Sequence, residues 1–235
     1  MIIISNWSIK TFVFIINTIG SVDDLIEKNK AIINEIDKYV INQFLLLYKD
    51  LTEDKQLGNF CEICLGGTPS REKTEYWNGN IPWINSGEVN KDAILDATEY
   101  ITELGLSKSA TKLMDKNTVV LAITGATLGQ VSILKIKCCG NQSIIGIRPS
   151  KELPYEFLYP LIKNKIDNLV SMQTGGAQQH INKDNVSSLL VGIPPKEEMQ
   201  KYLSKVSVIL NEQERLLFLN KKLEEEKQIL LKKYF

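Results

Sequence analysis

The sequence has no hydrophobic run long enough to cross a membrane, which takes roughly 18 to 20 apolar residues. Its most apolar stretch, residues 1–20, is interrupted by polar and charged residues that include Asn6, Ser8, Lys10 and Asn17. No small-residue cleavage pattern follows, so a signal peptide is not expected. Since no export signal is present, we expect a cytoplasmic protein.

The chain also lacks net charge, because 28 lysines and arginines balance 28 aspartates and glutamates. A neutral chain has no general attraction for nucleic acid, so any nucleic-acid site has to be local. Hydrophobic residues make up 43% of the chain, which excludes disorder as the dominant state.

Metal ligands are scarce. Cys61 and Cys64 have the spacing of half a zinc site, but the other two cysteines, Cys138 and Cys139, are adjacent and chelate one ion poorly. We therefore expect reduced, structural cysteines and no metal site. His180, the only histidine, fits either a general base or an ordinary loop residue. The loop residue is favoured, because no orienting carboxylate and nucleophile accompany it.

Catalytic motifs are missing as well. The chain has no Gly-x-Ser-x-Gly elbow, no phosphate-binding Gly-x-x-x-x-Gly-Lys-Ser/Thr loop and no dinucleotide-binding Gly-x-Gly-x-x-Gly. It also has no Asn/Asp-Pro-Pro-Tyr/Phe motif of amino-group methylation. We therefore expect a binding module rather than an enzyme, with no catalytic residue and no cofactor of its own.

Long helices are predicted at both ends. From Val22 to Lys49 apolar residues recur at steps of three and four, after a Ser21-x-x-Asp24 cap. After Pro194-Pro195, two rows repeat every seven residues: Tyr202, Ile209, Leu216, Leu223 and Leu230, and Val206, Gln213, Asn220, Lys227 and Tyr234. We expect the two helices to pair, antiparallel, as a coiled coil whose apolar row also supports oligomerisation. The alternative is two unrelated amphipathic helices.

The middle of the chain, residues 57–193, is predicted to be a mixed α/β domain. Predicted strands are Thr118–Thr124, Gln130–Ile136, Ser143–Ile147 and Ser188–Ile193, and predicted helices are Tyr155–Met172 and a short one at 183–189 capped by Asn182. The fold class is therefore α+β, a mixed α/β domain flanked by two long antiparallel helices.

Three glycine-containing loops of this domain, Gly66–Arg71, Gly125–Gly129 and Thr174–Gln179, share one chemistry. Glycine lets a backbone approach a phosphate, and hydroxyl, amide and guanidinium groups bind phosphates or base edges. The loops fit either such a surface or ordinary tight turns. The candidate DNA-binding residues are Thr68, Ser70, Arg71, Thr124, Thr127, Gln178, Gln179 and Lys183.

Four segments in order carry a family resemblance: GGTPSREKTEYWNGNIPWINSGEV (Gly66–Val89), TGATLGQVSI, NQSIIGIRP and TGGAQQHINKDNVSSLLVGIPP. Together with the flanking helices, they make residues 20–235 resemble a specificity subunit of a type I restriction–modification system. The resemblance implies a spacer helix at 21–56, a target recognition domain at 57–193 and a second spacer helix at 194–235. Residues 1–20 would be the remnant of a preceding domain or the lead into the first helix.

The resemblance further implies a non-catalytic subunit that reads double-stranded DNA for a methyltransferase and restriction complex. Its partners would be modification subunits, which bring S-adenosylmethionine, and in some systems a restriction subunit. Because the family usually carries two recognition domains and this chain has one, it resembles a half subunit, expected to form a homodimer. The alternative is a structural coiled-coil assembly protein with a non-functional recognition domain.

Overall fold

The computed structural model describes residues 9–172 and 180–234. The chain divides into two compact units, a helical unit of Met1–Asn42 with Ser204–Phe235 and a central unit of Gln43–Leu203. In the part of the chain that is described, no helix combines the length and the apolar character needed to cross a membrane.

The helices and strands are numbered here in chain order. The helices are α1 (Ile9–Tyr48), α2 (Glu103–Ser107), α3 (Tyr155–Asn164), α4 (Ile166–Ser171), α5 (Lys183–Ser187) and α6 (Lys196–Tyr234). The strands are β1 (Lys55–Gln56), β2 (Ile63–Leu65), β3 (Trp77–Ile84), β4 (Ala93–Ile94), β5 (Glu99–Ile101), β6 (Leu113–Met114), β7 (Val119–Ala122), β8 (Val131–Leu134), β9 (Cys138–Gly140), β10 (Ile144–Ile147) and β11 (Leu190–Val191).

Helix α1 begins earlier than its sequence pattern predicts. It runs from Ile9, and the predicted cap at Ser21 lies inside it. The Ser21 hydroxyl donates a hydrogen bond of 2.8 Å to the carbonyl of Asn17, one turn back, instead of accepting one from a free N–H group. Serine makes this bond inside helices, so the cap-like sequence at Ser21 does not mark the start of this helix.

In the helical unit, α1 and α6 are antiparallel, as predicted. Three polar side chains of α6 meet polar side chains of α1 in three layers: Gln213 with Asp37, Asn220 with Asn29, and Lys227 with Asp23. As the residue number rises along α6 it falls along α1, which defines the antiparallel direction. We call these pairs the polar layers of the helical unit.

Apolar side chains fill the space between the polar layers. Ile26, Ile36 and Val40 of α1 and Val206 and Leu216 of α6 are buried. Three further members of the predicted apolar row, Ile209, Leu223 and Leu230, are half-buried. The first member, Tyr202, belongs to the central unit, where its hydroxyl donates to the carbonyl of Glu156 at 2.8 Å.

The central unit contains three sheets. A five-stranded sheet has the order β2-β10-β7-β8-β4, a four-stranded sheet has the order β5-β3-β9-β6, and β1 pairs with β11. Most pairs are antiparallel, while β3 with β9 and β4 with β8 are parallel. The mixed α/β prediction is therefore confirmed, and β7 and β10 form the buried centre of the larger sheet.

The predicted helix Tyr155–Met172 is two helices, α3 and α4, that meet at Lys165. The Lys165 side chain is buried and pairs with the carboxylate of Glu53. A buried ammonium group needs a nearby charge partner, and this one comes from 112 residues away in sequence. Local sequence therefore gave no sign of the break.

All four cysteines are buried free thiols. Cys64 lies in β2, just before the predicted loop Gly66–Arg71, and it packs in the same apolar cluster as Cys138. Burial raises the pKa of Cys61 to about 12 and that of Cys139 to about 11. These thiols stay protonated at neutral pH, which supports a structural role.

Candidate nucleic-acid interface

The first loop follows β2 and is held by its glycine backbone. The N–H of Gly66 donates to the carbonyl of Ile144 at 3.0 Å, and the N–H of Gly67 donates to that of Gly140 at 2.8 Å. These N–H groups were expected to be available to a phosphate, but they are already used. At Gly66 and Gly67 the glycines serve close packing, and the side chains that follow them are the groups available to a ligand.

Arg71, the strongest single candidate from the sequence, is exposed and held on two sides. Its guanidinium carbon lies 3.6 Å from the centroid of the Trp77 ring. Its two terminal nitrogens bind the two carboxylate oxygens of Glu99, with Nη2 at 2.9 Å from Oε2. The hydrogen bond from Arg71 is the main cause that lowers the pKa of Glu99, so the pair is ionised at neutral pH.

Two tryptophans support Arg71. The Trp77 indole N–H donates to the carbonyl of Ser70 at 3.1 Å, and that of Trp83 donates to the carbonyl of Gly67 at 3.0 Å. The two rings meet edge to face with their centroids 5.1 Å apart. The sequence analysis did not single out Trp77, Trp83 or Glu99. The only available signal was the density of aromatic residues in the segment TEYWNGNIPW.

Gln142 joins the first loop to the second. The Thr68 hydroxyl donates to the side-chain oxygen of Gln142, and both residues are exposed. The next residue, Ser143, accepts a hydrogen bond of 3.0 Å from the N–H of Ile123 at the start of the second loop. Gln142 was not a predicted site residue, although it lies in the NQSIIGIRP segment that carries the resemblance.

The second loop is a tight turn between β7 and β8. Gly125 and Gly129 have φ values of +69° and +84°, which only glycine adopts readily. Thr127 donates to the carbonyl of Thr124 at 3.4 Å, so this hydroxyl stabilises the turn. Thr124 also forms a β-bridge with His180, which joins the second loop to the segment leading into α5.

The third loop is described in part. Gln178 and Gln179 lie outside the described residues, while Lys183 is exposed at the first position of α5. The predicted cap is confirmed, because the Asn182 side chain accepts from the N–H of Asn185 at 2.8 Å. His180 lies beside Thr124 of the second loop, its β-bridge partner.

The contacts of Thr68 with Gln142, Ile123 with Ser143 and Thr124 with His180 thus make the first two loops and the segment before α5 neighbours. We call the surface formed by Thr68, Ser70, Arg71, Gln142, Thr124, Thr127, His180 and Lys183 the loop surface. Its side chains are mainly hydroxyl, amide and cationic groups, which are the groups that bind phosphates and base edges. Among the described residues, no cluster of histidine, cysteine and carboxylate side chains is suited to hold a metal ion.

Known proteins match this chain in sequence and in fold. A family model described as the type I restriction modification DNA specificity domain matches residues 49–225. The EcoR124I/EcoR124II specificity subunit of Escherichia coli is 27% identical over 169 residues, which are 69% of this chain and 42% of that protein. The MjaIX specificity subunit of Methanocaldococcus jannaschii is 28% identical over 158 residues, 65% of this chain and 36% of that protein.

A solved structure described as a type I restriction–modification S subunit from M. genitalium has a similar fold. The TM-score is 0.64 at 17% identity, over 94% of this chain and 59% of the solved one. The chain therefore spans somewhat less than half the length of the two curated relatives and a little over half of this structure. Since the family model covers most of the chain, including nearly all of its central unit, the chain belongs to the type I restriction–modification DNA specificity domain family.

Proposed function

We propose that this chain reads a sequence in double-stranded DNA and directs a type I modification and restriction complex to it. The observation that carries the proposal is the convergence of the loops on one surface. Thr68 contacts Gln142, Ser143 bonds to Ile123, and Thr124 bridges to His180. Four segments distant in the sequence, each of which carries the family resemblance, are thus neighbours in the fold, which supports a shared polar surface.

The proposed partners are modification subunits, which would supply S-adenosylmethionine and the methyl transfer, and in some systems a restriction subunit. The chain itself would be non-catalytic and would act in the cytoplasm, where its DNA is. A second copy of the chain is a further proposed partner, so that two loop surfaces would read an interrupted palindrome. A purely structural coiled-coil protein is not favoured, because the matched family is a DNA specificity domain.

The test is methylome sequencing of cells that carry this chain together with its cognate modification subunits. We expect one methylated motif that disappears when the chain is omitted. The chain alone, incubated with DNA and labelled S-adenosylmethionine, should transfer no methyl group. The same motif methylated without the chain would contradict the proposal.

The loop surface is tested by a variant in the same assay. It carries alanine at the eight positions predicted from the sequence, Thr68, Ser70, Arg71, Thr124, Thr127, Gln178, Gln179 and Lys183. We expect the motif to be lost or degenerate while the variant still assembles with the modification subunits. An unchanged motif would place the reading surface elsewhere on the chain.

A further inference from the structure

We propose that Arg71 reads the edge of a guanine base rather than a phosphate, and that Glu99 is the positioning residue that makes it do so. The inference rests on the proposed function and names a feature of its DNA target. Three observations carry it: which nitrogens of Arg71 are occupied, what fixes the plane of the guanidinium group, and what charge the Arg71–Glu99 pair presents.

Glu99 occupies the end of the guanidinium group. Its two oxygens bind Nη1 and Nη2, which are the nitrogens that bind a phosphate end-on. Among the described residues, no hydrogen-bond partner is found for Nε of Arg71. The side edge of the group, Nε–H with the second hydrogen of Nη2, therefore presents two parallel donors. Guanine offers two matching acceptors, O6 and N7, in the major groove.

Two groups fix the plane of this donor edge, the Trp77 ring under its face and the Glu99 carboxylate at its end. The guanidinium carbon is 3.6 Å from the centroid of Trp77, whose ring is itself held by the carbonyl of Ser70. Glu99 lies in strand β5, opposite Trp83 of β3 in the sheet register. A bidentate contact to a base needs such fixed geometry, whereas attraction to phosphate needs only a positive charge.

The charge of the pair also disfavours a phosphate role. Arg71 and Glu99 carry opposite unit charges in direct contact, so together they present no net charge to DNA. The pair stays accessible, since 53% of the Arg71 side chain and 35% of the Glu99 side chain are exposed. A phosphate at the free edge would lie close to the Glu99 carboxylate, which repels it, whereas the guanine edge carries no charge and binds with the pair intact.

The test combines two variants with their double variant, in the full chain assembled with its modification subunits. Arg71→Gln should relax discrimination at one guanine of the methylated motif by about 5- to 150-fold. Because Arg71→Gln also leaves the Glu99 carboxylate unpaired, the salt dependence of binding to a random-sequence duplex is compared instead between the parent and the double variant, both of which are neutral at this pair. Glu99→Gln frees the charge of Arg71 for phosphate. It should therefore strengthen binding to the random duplex and steepen the slope of log K against log salt by about 0.9.

The double variant Arg71→Gln/Glu99→Gln should return that slope to its original value, because the freed charge is gone. Glu62→Gln is the matched control. It removes the same charge from another surface ion pair, with Arg148, at the opposite end of strands β2 and β10 from the loop surface. This control should leave both the slope and the motif unchanged, and thermal melting of each variant checks that it is folded.

Two outcomes overturn the inference and leave the proposed function standing. One is a motif that keeps full stringency at every position in Arg71→Gln. The other is a shallower salt slope in the double variant than in the parent, which would make Arg71 a phosphate contact. If instead the parent assembly methylates no motif that depends on the chain, the proposed function itself is wrong. Failure of the Arg71 inference alone is thus distinguished from failure of the proposed function, because only in the first case does a chain-dependent motif exist.

Discussion

At Gly66 the chain leaves no room for a side chain. A Cβ atom there would lie 2.2 Å from the carbonyl oxygen of Asn141 and 2.5 Å from that of Gly140. Both neighbours are backbone atoms, so they cannot rotate away as a side chain would. The glycine of the first loop is thus explained by packing, and recognition is left to the exposed side chains beyond it.

Gly66→Ala is therefore expected to destabilise the central unit by about 1–3 kcal/mol or more, because the loop has to move to admit the methyl group. Urea denaturation followed by tryptophan fluorescence measures this, since Trp77 and Trp83 lie in the central unit. Gly20→Ala is the control. Gly20 lies within α1 with no atom within 4 Å of its added Cβ, so alanine should stabilise that helix by up to about 1 kcal/mol. Equal stability of Gly66→Ala and the parent chain would contradict the close approach.

Along the two long helices, the polar layers decide how α1 and α6 align. Asn29 is only 4% exposed, and its amide donates to the side-chain oxygen of Asn220 at 2.7 Å. Asp37 accepts from Gln213 at 2.6 Å in the next layer. If one helix slid by a turn, each of these polar groups would face an apolar neighbour. Such a mismatch costs more than the aligned pair contributes, so the layers specify register.

Asn29→Leu alone should destabilise the helical unit by about 1–3 kcal/mol, because the half-buried side-chain oxygen of Asn220 loses its hydrogen-bond donor. Asn29→Leu/Asn220→Leu should recover that stability or exceed it, while it permits more than one register. A double-mutant cycle by chemical denaturation measures the coupling, and disulfide trapping between engineered cysteines reports the register. Purely additive effects of the two substitutions would show that the pair does not determine the alignment.

Much of the architecture follows from local sequence patterns. The seven-residue rows predict α6, steps of three and four predict its partner α1, and short β-like runs between glycine and asparagine turns predict β7, β8 and β10 within a residue or two of their ends. Strand β3 was missed because it contains Pro82 and begins with a bulge at Asn78, which has a φ of 61°. Both features are typical of loops, and only pairing with β5 and β9 makes this segment a strand.

The candidate site was also predicted only in part, because contacts between distant segments complete it. Thr68, Arg71 and Thr124 were chosen from their own segments, and the structure brings those segments together. Glu99 was missed because its role depends on sheet register, which places it beside Arg71 from 28 residues away. Contacts between strands are not encoded in the spacing of residues along one segment, so a sequence pattern identifies the arginine but not the carboxylate that holds it.

For the molecule as a whole, α1 offers a second candidate surface for the proposed dimer, beside the row predicted from the sequence on α6. Leu216 of the predicted oligomerisation row is 4% exposed and packs within the helical unit. A different row, on α1, leaves apolar side chains in solvent at the same seven-residue spacing: Leu25, Ile32 and Tyr39 are 42%, 48% and 38% exposed. This row has the period of a helix-pairing surface, and we expect a second copy to cover it.

Leu25→Asp with Ile32→Asp should convert a dimer to a monomer without loss of helix content. Sedimentation velocity at micromolar concentration and circular dichroism measure the two quantities. Leu216→Asp with Leu223→Asp is the contrasting variant, and it should reduce helix content because it opens the pairing of α1 with α6. If the parent chain is a stable monomer and the methylated motif is asymmetric, the proposed homodimer is wrong. Docking to modification subunits would then be the remaining role of the exposed apolar row.

The way the first loop is anchored has a consequence for how such a protein changes over generations. Its backbone is fixed by the N–H groups of Gly66 and Gly67, while the side chains of Thr68 and Ser70 point into solvent. Substitutions at those two positions leave the anchoring bonds intact, so they alter what the loop touches at little cost to folding. If the loop reads DNA as proposed, a lineage can therefore drift from one target to another through single codons, with each intermediate still a folded protein.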